Sequence, residues 1–153
     1  LTTCIVPILS YNYAAGLFSR CKAVLWTSVA ISAVCMGVGT LAFELFPTQL
    51  LSIFADGQTE ILKIGNLALR IIGISFVPIS VSLVMPTYFQ AIGKGMQSIS
   101  LTVLRQLILL IPLAWVFSFI GLNYVWLAFP ITEIITAITG YVLYQKYPIS
   151  RTA

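Results

Sequence analysis

Four long stretches nearly free of charge govern what this chain can fold into. Ala23–Phe43 and Ile71–Gly93 contain no charged residue, Gly95–Ile120 contains only Arg105, and Tyr124–Gln145 only Glu133. A bilayer core about 30 Å thick is crossed by roughly 20 residues of helix. Lipid offers no water to the backbone, so such stretches must close their N–H and C=O groups internally, as helices. The expected fold is all-α, a polytopic transmembrane helical bundle.

Composition removes most other readings. Hydrophobic residues make up 59% of the chain and charged ones 8%, with a mean hydropathy of +1.03. A soluble domain carries about a quarter of its residues as charges. The net charge of +4 is spread over scattered Lys and Arg rather than a basic stripe, so no nucleic-acid partner is expected. The chain has no histidine, no paired carboxylates and no nucleophile–base pair, which sets an enzyme aside. Cys4, Cys21 and Cys35 have no metal-ligand spacing and read as small apolar packing residues.

The spans are expected at about 1–15 (partial), 22–46, 62–92, 97–119 and 123–146. The chain opens Leu-Thr-Thr-Cys with no initiator Met, so 1–15 reads as the tail of a helix in a longer membrane protein. Alternating loops put Arg20, Lys22, Lys94, Lys146 and Arg151 on one side. Lys63 and Arg70 fall on the other with the acids Glu44, Asp56 and Glu60. Lys and Arg concentrate in cytoplasmic loops. The C-terminus is therefore expected in the cytoplasm, and the loop 47–61 outside. Within that loop, residues 47–54 read either as a surface-lying segment or as a short helical cap.

Four prolines, Pro78, Pro86, Pro112 and Pro130, lie inside the spans. Each removes a backbone hydrogen bond that neighbours or a wet cavity must replace. Residues 62–92 combine two of them with Ser75, Ser80, Ser82 and Thr87. Broken, hydroxyl-rich helices line transport pathways; ordinary packing kinks with hydroxyls bonded to their own carbonyls are the alternative. Ala33 and Gly37, with Gly39 beside them, have the small-residue spacing of a close helix contact.

The two charges inside the spans are the candidate site. Glu133 falls near mid-membrane, where an acid is costly and marks function by default. The alternative is a carboxyl held protonated, or bonded to a neighbour, at a helix–helix contact, a bond for which Thr132 and Thr136 are the expected partners. Arg105 reads as snorkelling to the headgroups or pairing with an acid. The pathway-lining candidates are Tyr11, Asn12, Ser75, Pro78, Ser82, Met85, Pro86 and Pro130. Tyr11 and Asn12, like Trp26, Trp115 and Trp126, also fit interfacial anchoring.

Five segments together resemble the multidrug and toxic compound extrusion (MATE) family. The run from Pro7 to Gly16, Pro-Ile-Leu-Ser-Tyr-Asn-Tyr-Ala-Ala-Gly, is similar to the end of that family's eighth helix. Leu69-Arg70-Ile71-Ile72 and the later run Tyr88–Gly95 resemble its tenth helix and the loop that follows. Leu104–Pro112 resembles the eleventh, and Val125–Pro130 with the acid at 133 the twelfth. The likeness implies the end of helix eight through helix twelve, half of a two-lobe transporter whose N-terminal lobe is the partner.

What the resemblance implies is an antiporter in the plasma (inner) membrane, driven by H⁺ or Na⁺ and exporting organic, often cationic, drugs or toxic compounds by alternating access. No cofactor is expected beyond the coupling ion; the partners are small-molecule substrates and the bilayer. Residue 14 is Ala where the family has Gly, and 71–93 lacks the acid found in some sodium-coupled branches, so the ion stays open. The alternatives are a lipid-linked saccharide flippase of the same superfamily and a non-transporting membrane subunit. Glu133 is the candidate for proton or cation coupling.

Overall fold

The computed structural model describes residues 2–53 and 59–149, and their elements are helices. They run α1 Thr2–Ala14, α2 Phe18–Leu45, α3 Pro47–Ser52, α4 Thr59–Ala91 and α5 Gly95–Val103. A π-helical segment, Leu104–Leu110, joins α5 to α6 at Ile111–Ser118; α7 Leu122–Val125 and α8 Ala128–Lys146 complete the chain. Among the described residues, four stretches are long and apolar enough to cross a membrane: Phe18–Leu45, Leu62–Ala91, Gly95–Ser118 and Leu122–Lys146. The span expected at 22–46 begins four residues early, at Phe18, because α2 starts directly after the Gly16 turn, taken at φ +71°. Asp56 and Arg151, two of the charges used to orient the chain, lie outside the described residues, as does the side chain of Glu60.

The bundle is built around α4, which packs against α1, α2, α5 and α8. Large apolar side chains such as Val34, Ile74, Leu107 and Ile138 face outward, the arrangement of a chain whose solvent is lipid. Without a hydrophobic drive between helices, contact is made by small residues and polar links. Gly39 lies under the Phe76 ring, Gly73 under Phe43, and the two rings meet at 5.0 Å between centroids. The Thr40 hydroxyl donates to the Gly73 carbonyl at 2.8 Å. Gly37, expected in this contact, has open space above it; the seam runs through Gly39 and Thr40 instead.

Against α8, Gly140 lets Met85 approach so closely that an added Cβ would sit 3.0 Å from its Cβ. Beyond it, Tyr88 stacks edge-on with Tyr144 and donates to the Tyr147 carbonyl at 3.0 Å. Cys21 is buried against Leu9, whereas Cys4 and Cys35 are exposed, so the packing role expected of all three holds for one.

Residues 47–52 form the short cap rather than a segment lying free. Pro47 is buried at its first position, Leu51 packs on Gly65, and the Asn66 amide donates to Thr48 Oγ1 at 2.8 Å. The tight turn after α4 uses Gly93 at φ +77°, a left-handed conformation that favours glycine. There Lys94 lies over the Tyr147 ring at 4.0 Å, and Lys146 over the same ring at 5.8 Å. Two of the basic residues assigned to one side thus share one end of the bundle.

Candidate functional site

The helix breaks fall elsewhere than the proline count suggests. α4 is continuous through Pro78 and Pro86. Its hydroxyls mostly turn back on the helix: Ser80 donates to Val77 O at 2.7 Å and Thr87 to Leu83 O at 2.9 Å. Ser75 does the same toward Ile72 O. The irregular backbone is in the next span, at Leu104–Leu110. Pro112 follows it closely. A proline has no N–H with which to close the α register onto Ile108, and its ring crowds that carbonyl. The widened π turns absorb this mismatch, and such turns recur at functional sites.

Arg105 is the second residue of the widened segment. It lies near the middle of a 24-residue span, as Glu133 does in its 25-residue span. The two meet. Arg105 Nε donates to Glu133 Oε1 at 2.8 Å, and Nη2 lies 2.7 Å from the same oxygen. The other carboxylate oxygen, Oε2, accepts the Ser82 hydroxyl from α4. Three spans are therefore tied at one carboxylate. Snorkelling is replaced by an ion pair, because a counter-charge at the same depth removes the need to reach the headgroups.

Thr132 and Thr136, expected to bond Glu133, do not; both hydroxyls are buried without a partner among the described residues. They project from the same helix as the carboxylate, and Ser82 on α4 reaches it instead.

Beside the pair lies a cleft of about 640 Å³ between α1, α4, α5 and the π-helical segment. Thr2, Thr87, Gln90, Thr102, Arg105 and Gln106 give its wall a polar character, with Val6, Leu83 and Pro86 as apolar relief. Glu133 is 5% exposed and does not border the cleft; the Arg105 side chain, 22% exposed, does. The pair is thus polarised, with its cation forward and its anion behind.

Among the pathway candidates, Ser82 and Pro86 line this cleft. Met85 is fully buried against Gly140, while Ser75 and Pro130 are buried in the packing of α4 and α8. Pro78 is half-buried. Tyr11 is 75% exposed on α1, and the Asn12 amide donates to its own helix at Ile8 O, 2.8 Å. The structure thus brings Arg105, Glu133 and Ser82 together and leaves Tyr11, Asn12, Ser75 and Pro78 apart from them. Gln90, Thr102 and Gln106 were not singled out by sequence. Their signal was available: polar residues within a stretch that otherwise reads as lipid-facing.

Comparison with known proteins agrees with this architecture. The MatE family model matches residues 1–116. An FAD transporter of Shewanella oneidensis is 25% identical over 147 residues, covering 95% of this chain and 32% of that protein. Among solved structures, the inward-facing conformation of a multidrug resistance MATE family transporter of the MOP superfamily superposes with a TM-score of 0.90. It is 20% identical, over 99% of this chain and 36% of that one. The MATE multidrug transporter DinF-BH, solved as a complex, gives 0.86 at 30% identity over 95% of this chain and 32% of that one. The chain spans about a third of the length of these relatives.

Proposed function

Because this chain belongs to the MatE family of membrane transporters, we propose that it forms the C-terminal part of a cation-coupled antiporter. In this reading a preceding lobe completes the transporter, which exports organic small molecules by alternating access at the expense of an inward H⁺ or Na⁺ gradient. It sits in the plasma (inner) membrane with its C-terminus in the cytoplasm, as the Lys and Arg distribution favours. The observation that supports it is a charged pair near mid-span, Arg105–Glu133, held beside a polar cleft in an otherwise apolar bundle. Charges at that depth are costly and are kept where ions or substrates pass. Glu133, which ties its own span to two others, is the residue assigned to coupling.

Two substrate classes follow from different observations. Family resemblance favours organic cations. The relative described as an FAD transporter favours a polar, phosphate-bearing cargo, and so does the forward position of Arg105 in the cleft wall.

The test is flux in proteoliposomes holding the full-length transporter, with a cationic rhodamine dye and flavin adenine dinucleotide as cargoes. Imposed H⁺ or Na⁺ gradients are expected to drive accumulation of at least one cargo, and an ionophore to abolish it. Absence of gradient-dependent flux for both cargoes with both ions would instead support a non-transporting membrane subunit.

A further inference from the structure

The cleft has a polarity of its own. Among the described residues lining it, Arg105 is the one charged group, and no carboxylate borders it. Glu133 lies behind the wall with both oxygens engaged, Oε1 by Arg105 and Oε2 by Ser82. On the guanidinium, Nε and Nη2 are committed to Glu133; no protein acceptor meets Nη1 among the described residues. An entering cation therefore meets like charge before it meets the carboxylate. An entering anion meets a guanidinium already fixed in orientation, so little rotamer freedom is lost on contact.

The charge of the ligand decides whether it gains from the site. A carboxylate carries one negative charge, the same as Glu133, and competes with it on equal terms. A phosphate monoester or diphosphate carries nearer two, with several acceptor oxygens, and so attracts the guanidinium more strongly than a single carboxylate does. Gln90, Gln106, Thr102 and Ser98 add amides and hydroxyls around it, suited to a hydroxylated or heterocyclic body rather than a purely apolar one.

Resting on the export reading above, we propose that the cleft receives an organic molecule bearing a phosphate or diphosphate, and that Arg105 is the residue that contacts it. Such a group occurs on soluble nucleotides and on polyprenyl-linked saccharides. The shared chemistry is the phosphate–guanidinium contact.

The experiment is equilibrium binding to the full-length transporter in nanodiscs, with no ion gradient imposed. Flavin mononucleotide and riboflavin serve as probes because they differ by one phosphate. The wild-type protein is expected to prefer the phosphorylated flavin by about tenfold or more, the scale of a charge-assisted hydrogen bond. Arg105→Gln is expected to erase the preference while riboflavin binding persists, and Arg105→Lys to keep part of it. Equal affinity of the wild-type protein for the two flavins overturns the proposal, and this arm does not depend on any variant folding. A preference that survives in Arg105→Gln overturns it equally. Displacement of the bound flavin by flavin adenine dinucleotide assigns a soluble cargo, and displacement by a polyprenyl diphosphate alone assigns a lipid-linked one; both uphold the contact. Phosphate-selective binding without gradient-driven flux would contradict the export reading and leave this one standing.

Discussion

Glu133→Gln is expected to reduce gradient-driven export by the full-length transporter about tenfold or more, with membrane expression unchanged. The amide keeps the shape of the carboxyl and one acceptor for Arg105, but loses the negative charge that completes the ion pair across the 2.7–2.8 Å contacts. It also removes a group able to exchange a proton or cation. Glu133→Asp retains the charge on a shorter stem and should keep partial activity. Initial rates under an imposed gradient, measured between about pH 6 and 8, are the readout. A Gln variant that transports at the wild-type rate across that range would mean the carboxylate serves packing alone.

A second large effect concerns stability. Arg105→Leu leaves Glu133 buried without its cation and held only by Ser82. Removing one partner of a buried ion pair costs about 3–5 kcal/mol, whereas replacing both by apolar residues is often close to neutral. The double variant Arg105→Leu/Glu133→Leu should therefore unfold at higher temperature than Arg105→Leu alone. Thermal unfolding in detergent, analysed as a double-mutant cycle, gives the coupling directly. Additive losses would show that the two side chains do not stabilise one another in solution.

The fold was legible because lipid imposes a simple rule on sequence. Uncharged runs of sufficient length must be helices, and the charges at Lys94 and Lys146 mark where they end. The site was half legible. Arg105 and Glu133 stood out as the charges inside the spans, but their meeting depends on the packing of α8 against α4 and the π-helical segment. Hydrophobic periodicity does not encode that packing when helices are apolar on most faces. Ser82 was one of several similar hydroxyls on its helix, and only the approach of Glu133 distinguishes it from Ser80. Of the two readings the prolines left open for α4, ordinary packing fits: the helix runs on through Pro78 and Pro86, and Ser75, Ser80 and Thr87 turn back on their own carbonyls. Pro112 had the opposite effect, with irregular turns ahead of it that place Arg105 in the cleft wall.

The proposed transport requires that cleft to be a wet route within the membrane rather than a crevice in a dry bundle. Gln106 borders it, whereas Ile108, in the same π-helical segment, is among the large apolar side chains facing outward. In a cysteine-free version of the full-length transporter, single substitutions Gln106→Cys and Ile108→Cys can be compared for labelling by a membrane-impermeant thiol reagent. The expected result is rapid labelling at 106, slowed by a transported cargo, and none at 108. Equal inertness at both positions would contradict an aqueous pathway beside Arg105 and Glu133.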